Sequence, residues 1–398
     1  MSSGKYAQSP EWADIDPIPL DDGNGDGIIP LATIAYPPSY TEATSYLRAV
    51  MAVNEMSDRA LKLTEDIIRI NPAHYTVWLY RAKIIKELDK KLTDEIDWLN
   101  RVSGENLKNY QIWHHRQIIV SRLRDSLTEE SDFLTEERDF LMDIFARDSK
   151  NYHVWIYRHW LVRHFNLWED ERETLDVETL IDRDVHNNSA WNHRYVLRFS
   201  PRDGPEAGMP ENSGPGLKRG QLAVVDEYIV DAELEYAEDK IRLAPENRSP
   251  WHYARGVLRA AKLPLSKWKR FASKFIIEEI DDADNIIKVH VKSSLALELL
   301  ADVYAEEAQA KGAEAERDKT VNDDAEEAQA EGAEAGRDKT VNDNAEAQAG
   351  AEAERDKTVN DAVRMLTLLK EEYDPIRKNY WDYKMRLVTR LSSLSTAA

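Results

Sequence analysis

The 398-residue chain contains no cysteine. Disulfides, a cysteine nucleophile and a zinc site built on the chain's own thiolates are thereby excluded. It also lacks any apolar run close to the roughly 20 residues that a bilayer-spanning helix needs. The opening stretch, MSSGKYAQSPEWADIDP, has no apolar core of the kind that directs secretion, and the closing SSLSTAA has no cysteine to carry a lipid, so a soluble cytoplasmic protein is the expectation. Positive charge is in deficit: 53 Lys and Arg against 74 Asp and Glu give a net −21, the wrong sign for a general nucleic-acid binder. Residues 305–361 alone supply −11 of it, so the remainder is mildly acidic and leaves room for a local basic site.

Motifs of self-contained catalysis are missing as well. There is no HExxH, no GxxxxGKS/T and no GxSxG. His114 and His115 are neighbours, which on a helix point to different sides and cannot chelate together. DDGNGDGII, with Asp22, Asn24, Asp26 and Gly27, opens like a calcium loop, but its twelfth position is Thr33 where a bidentate Glu is needed, and Pro30 interrupts it. DDADN, from Asp281, is the nearest approach to a magnesium-diphosphate cluster and reads as a surface run at a helix start. The chain offers no complete active site and no metal site of its own.

What the sequence does have is a repeat. Trp78, Trp113, Trp155 and Trp191 lie in NPAHYTVWLYRAKII, ENLKNYQIWHHRQIIV, SKNYHVWIYRHWLV and HNNSAWNHRYVLRF, at spacings of 35, 42 and 36 residues. Each block runs Asn, a few residues, Trp, any residue, Tyr or His, Arg, then an apolar stretch. A fifth copy carries Trp251, with Ala254 in the Arg slot, and a degenerate sixth carries Trp381, with Lys384 there. Between the blocks, segments such as LTDEIDWLNRV and ERDFLMDIFARD have apolar residues at helical spacing, so each unit is a helix pair. Asn71 followed by Pro72 reads as an N-cap with proline at the first helical position, starting the helix just ahead of Trp78.

One helix hairpin cannot bury its own apolar face, so several must stack, and the expected fold is an all-α, right-handed superhelical solenoid, a crescent. Trp is expected to fill the inter-helix core and Arg to stack or pair between units, because residues repeated five or six times serve packing. The slot filled by Tyr80, Tyr157 and Tyr253 also accepts His115 and His193, which marks it as a packing slot. The organisation expected is an extended N-terminal arm over residues 1–40, repeats over 41–304 with a Pro/Gly-rich loop near 200–220, an acidic insert over 305–361 and a terminal repeat helix and tail over 362–398. RDKTVND recurs at Arg317, Arg337 and Arg355, so the insert reads as a tandem duplication; without an apolar stripe to dock, it is expected to be solvated or disordered.

The Trp–x–Tyr/His–Arg blocks at this spacing resemble the repeats of protein prenyltransferase α subunits. ADIDPIPLDDG, residues 13–23, resembles the N-terminal arm of the farnesyltransferase α subunit, and KNYQIWHHRQ, KNYHVWIYRHWLV and DVHNNSAWNHRYV resemble successive repeats. The resemblance implies an obligate heterodimer with a prenyltransferase β subunit that holds the catalytic zinc. Farnesyl or geranylgeranyl would pass from its diphosphate, accompanied by magnesium, to a cysteine in the C-terminal CaaX motif of proteins such as small GTPases. By the same resemblance, Lys150 matches the lysine that contacts the diphosphate. Tyr152 and His153 match positions facing the isoprenoid and the substrate's terminal carboxylate, Tyr110 is the equivalent one repeat earlier, and Asn187 follows on the next repeat near the same cavity. Tyr157 departs from the family pattern, which commonly has His there. Two other readings share parts of the pattern: the α subunit of the Rab-type geranylgeranyltransferase and a non-catalytic tetratricopeptide-like scaffold.

Overall fold

The computed structural model of the protein describes residues 4–20, 34–125, 130–200, 226–280, 286–329 and 337–393. After α1 (Pro38–Ala52), five tandem helix pairs follow. They are α2 (Asp58–Ile70) with α3 (Tyr75–Glu87), α4 (Leu92–Glu105) with α5 (Tyr110–Arg124) and α6 (Glu130–Arg147) with α7 (Tyr152–His164), then α8 (Glu171–Arg183) with α9 (Asn188–Phe199) and α10 (Glu227–Leu243) with α11 (Arg248–Ala260). The short α12 (Lys269–Ser273) leads to the antiparallel strands β1 (Ile276–Ile280) and β2 (Ile286–Val291), then to α13 (Ser294–Gln329), α14 (Arg337–Leu368) and α15 (Lys378–Ser393). The helix-pair solenoid expected from the repeat is present; the hairpin, in which Ile276 faces Val291, is an element the all-α expectation did not include. The chain forms two compact units, one through Asp176 and one from Val177, described separately below.

Asparagine starts four of the second helices. Asn109 accepts from Gln111 N (2.9 Å), Asn151 from His153 N (3.1 Å) and Val154 N (3.3 Å), Asn187 from Ser189 N (3.1 Å) and Ala190 N (3.3 Å), and Asn247 from Ser249 N (3.1 Å). Each satisfies amides that the helix itself leaves unbonded. All four stand four residues before the Trp of their block. In the first block that place belongs to His74, which makes no side-chain cap, so the expectation for Asn71 and Pro72 is corrected. Asn71 ends α2 and accepts from Ala73 N in the turn, and α3 begins only at Tyr75.

The tryptophans are the core, as expected. Trp78, Trp155, Trp191 and Trp251 are buried, and each indole donates to the carbonyl six residues earlier: Pro72, Ser149, Val185 and Pro245, at 2.8–2.9 Å. A large apolar side chain is thereby buried without stranding its one polar atom, while the turn ahead of the helix is tied down. Trp381 of the degenerate sixth block is also fully buried and donates seven residues back, to Asp374 O (3.1 Å).

The repeated arginines pair between successive helix pairs. Arg81 of α3 donates to Glu95 of α4 (2.8 and 2.6 Å), Arg116 of α5 to Glu137 of α6 (2.7 and 2.5 Å), Arg158 of α7 to Glu173 of α8 (2.6 and 2.9 Å) and, in the second unit, Arg194 of α9 to Glu233 of α10 (2.6 and 3.1 Å). The same carboxylate takes the Tyr/His slot of its own pair: His115 meets Glu95 at 2.8 Å, Tyr157 donates to Glu137 at 2.5 Å and Tyr253 to Glu233 at 2.6 Å. Three residues past the glutamate comes an aromatic under the guanidinium: Trp98 at 3.7 Å, Phe140 at 4.3 Å and Tyr236 at 3.7 Å. In the α8 pair that place is Asp176, which accepts from Arg158 directly (2.8 Å). Such bidentate, buried pairs hold together because each charge is met by hydrogen bonds as well as by its counter-charge. The first and fifth pairs differ: Ala60, fully buried, fills the glutamate place of the first, and Ala254, fully buried, the arginine place of the fifth.

Much of the acidic insert is helical, contrary to the expectation of a disordered segment. α13 and α14 run through its described parts, and near their bases they pack on each other through Ala308, Thr358, Val359 and Ala362. Lys311 also reaches Glu354 (2.9 Å) and Thr358 (3.3 Å). Alanine, glutamate and lysine favour helix strongly, and small alanines allow close approach without a stripe of large apolar residues. The calcium-like stretch, the loop near 200–220 and DDADN fall largely or wholly outside the described residues. Among the described residues, no helix is long and apolar enough to cross a membrane.

Candidate functional site

The residues singled out in the sequence sit where second helices begin. Tyr110 and Tyr152 are the first residues of α5 and α7, three before the buried Trp, and both are largely exposed (61 % and 69 %). Tyr75, at the same place on α3, is 63 % exposed, and Leu79 one turn further is 59 % exposed. The first unit thus presents a ladder of large apolar side chains, in register over three repeats, that no described element of the chain covers. Large apolar side chains left exposed at the same place in successive repeats mark a face where something else docks. Tyr75 escaped the sequence reading although its position, three before Trp78, was available there.

Two residues ahead of the second and third tyrosines stand Lys108 and Lys150, both exposed. Asn151 fixes the second of these starts. Its oxygen caps α7, and its amide donates to Leu107 O (3.0 Å) and Asp148 (3.3 Å), fastening the start of α7 to the α4–α5 turn. Beside that turn lies a cleft of about 600 Å³ lined by Ala73, residues 104–110 and Arg147, whose guanidinium donates to Gly104 O (2.7 Å). The cleft brings Tyr110 and Lys108 together with Arg147; Lys150, Tyr152 and His153 lie outside its lining. Tyr152 and half-buried His153 are in edge-on ring contact at 5.7 Å. Asn187 belongs to the second unit and is fully buried, its oxygen accepting from two amides of α9.

The buried framework of the helix pairs holds perturbed groups. Burial pushes the His115 imidazole below its ordinary value, Glu95 opposing, so it is held neutral. Burial works against the Glu95 carboxylate, but the His115 and Arg81 hydrogen bonds outweigh it and hold its pKa below the usual range. Burial first and Glu137 second raise the Tyr157 phenol well above normal. These are structural groups, and the buried glutamates were the principal omission of the sequence reading. Their signal is present: Glu95, Glu137, Glu173 and Glu233 each stand 18 residues before the Trp of their own block. Among the described residues, no three His, Asp or Glu are grouped to hold a metal ion.

The five helix pairs match the protein prenyltransferase alpha subunit repeat, over residues 57–88, 92–123, 134–165, 170–199 and 230–261. The protein farnesyltransferase/geranylgeranyltransferase type-1 subunit alpha of Candida albicans is 30% identical over 98% of this chain and 99% of its own length. The protein of the same name from Dictyostelium discoideum is 26% identical over 96% of this chain and 94% of its own. Among solved structures, Candida albicans protein geranylgeranyltransferase-I complexed with GGPP matches with a TM-score of 0.67 and 30% identity, over 94% of this chain and 97% of that one. The repeats define a prenyltransferase α subunit. The chain belongs to the protein farnesyltransferase/geranylgeranyltransferase type-1 α-subunit family.

Proposed function

We propose that this chain is the α subunit of a cytoplasmic heterodimeric protein prenyltransferase, moving farnesyl or geranylgeranyl from its diphosphate to the cysteine of a C-terminal CaaX motif. The observation that carries the reading is the exposed tyrosine ladder with lysines at the helix starts, on a chain that has no thiolate and no described metal-holding group. A chain so built needs a partner to cover the ladder and complete the chemistry. In this reading the zinc sits on the β subunit, where it would activate the substrate thiol, and magnesium travels with the diphosphate. This chain's own contribution is electrostatic and positional. As the bond from the isoprenoid carbon to oxygen breaks, negative charge grows on the departing diphosphate, and the ammonium of Lys150 stabilises that charge more in the transition state than in the ground state. Tyr110, Tyr152 and His153 present ring surface to the lipid and the peptide end. Asn187, buried in its cap, acts through the helix it starts.

The test is co-expression with candidate β subunits and transfer to a short CaaX peptide. Transfer by the pair, and none by the chain alone, is expected. A pair that needs an escort protein and ignores the bare peptide would give the Rab-type reading instead, and absence of transfer with every β subunit would leave a scaffold. Lys150→Ala is expected to slow the chemical step about 10²-fold, since losing one such donor typically costs about 2.7–4 kcal/mol. Lipid diphosphate binding should change far less, and Lys108→Ala should be milder. Single-turnover rates equal to the parent's would remove Lys150 from the chemistry.

A further inference from the structure

Among the described residues of the helix pairs, the buried arginines follow a rule that Arg122 and Arg163 break. Arg81, Arg116, Arg138, Arg158 and Arg194 each lie 2.5–2.6 Å from a carboxylate oxygen. Arg122 on α5 and Arg163 on α7, both half-buried in the first unit, have no carboxylate within ion-pair distance among the described residues. Each also has a guanidinium nitrogen shut off from solvent and without a hydrogen-bond partner, Nη1 of Arg122 and Nε of Arg163. Arg116 too has one such nitrogen, but its charge is met by Glu137. A guanidinium that has lost water without gaining a counter-charge is unfavourable, and in a chain with 74 acids the shortage is not one of supply. Burial alone pushes the Arg163 pKa down, with no opposing carboxylate.

Their position says where the counter-charge comes from. Arg163 is eleven residues past Tyr152, about three helical turns, and so shares the face that carries the exposed tyrosine. Arg122 is twelve residues past Tyr110, roughly a third of a turn round from that face. We propose that Arg122 and Arg163 are binding residues for carboxylates of the partner chain that covers the tyrosine ladder. The inference rests on the heterodimer reading above and specifies the partner surface: apolar recesses for Tyr75, Leu79, Tyr110 and Tyr152, and acidic side chains about three helical turns away along the same helices. The tyrosines supply buried area and the arginines the register, since a desolvated charge pair rejects a misaligned partner.

Methionine keeps the aliphatic stem and removes the charge, so the test compares Arg122→Met and Arg163→Met with Arg116→Met. In the heterodimer, either of the first two is expected to weaken α–β affinity by a factor of ten or more, about 10²-fold for a fully desolvated pair, and to flatten its salt dependence. In the free chain the same two should leave thermal unfolding unchanged or raise its midpoint, because they remove an unpaired charge. Arg116→Met should lower it. Parent-like affinity in both variants, or destabilisation of the free chain matching Arg116→Met, would overturn the proposal. Normal assembly with weakened lipid diphosphate binding would assign the guanidiniums to substrate and overturn it as well. If the parent chain pairs with no β subunit, the functional reading itself falls and takes this inference with it.

Discussion

Replacing Glu137 with Gln tests the buried wiring at its most enclosed point. Glu137 and Arg116 are both essentially inaccessible, and the carboxylate accepts three hydrogen bonds, two from Arg116 (2.7 and 2.5 Å) and one from Tyr157 (2.5 Å). The amide keeps the shape but removes the charge and turns an N–H toward a donor. Arg116 then remains buried with nothing to balance it, which in comparable sites costs about 3–5 kcal/mol. With urea m-values of about 1–3 kcal/mol/M, the midpoint should fall by about 1 M or more, read by far-UV circular dichroism and tryptophan fluorescence together. The double variant Arg116→Met, Glu137→Leu removes both charges and should lose much less than the single one. Equal losses in single and double variants, or a single loss below about 1 kcal/mol, would refute the reasoning, since the cost would not come from an uncompensated charge.

His115→Tyr should make stability less dependent on pH. Its imidazole pKa is depressed in the folded chain, so the unfolded state takes up the proton first, and stability is lost as pH falls below the ordinary value of 6.5. Urea midpoints at pH 7.5 and 5.5 should therefore converge in the variant by up to one proton's worth, about 1.4 kcal/mol per pH unit, leaving the slope due to His74 and His252, also depressed by burial. Replacing residues 315–350 with a short flexible linker should leave heterodimer yield and turnover near the parent's. Extending the deletion to 307–359 should lower the melting temperature, because it removes buried Ala308, Arg355, Thr358 and Val359. Asn151→Ala should cost about 1–2 kcal/mol in cap energy and reduce turnover as well, since it frees the helix start that carries Lys150 and Tyr152; stability loss with unchanged turnover would separate the two roles.

The helix pairs were legible because a large aromatic cannot recur every 35 to 42 residues by chance, and each buried Trp fixes the phase of its helix. The exact start of α3 was not, since Asn71–Pro72 imitates a helix start and only the capping position four before Trp78 reveals the offset. The glutamates were visible in principle but sit among many other acids on amphipathic first helices, where one buried carboxylate looks like its exposed neighbours. The hairpin carries β-branched IIEEI and IIKVHV, yet helices on either side made a strand pair easy to pass over. In the insert, reading disorder from the lack of large apolar residues neglected what alanine does at a close helix contact. Of the site, the family resemblance pointed to Tyr110 and Tyr152, which stand exposed at helix starts, whereas Asn187 lies in a cap, because it stands four residues before its Trp and the tyrosines stand three.

The residues that break the repeat say how long the array is. Every internal junction needs an arginine from the pair before and a glutamate from the pair after, so the pairs join like plugs and sockets with one direction of assembly. Ala60 leaves the first pair without a socket, and Ala254 leaves the fifth without a plug. A further copy of any internal pair, spliced after α11, would bring a glutamate to a wall of alanine and bury it with no cation, whereas the same copy spliced between α5 and α6 would find both partners waiting. Lengthening is therefore easy in the middle of the array and obstructed at its ends, and the number of repeats is encoded by two methyl groups.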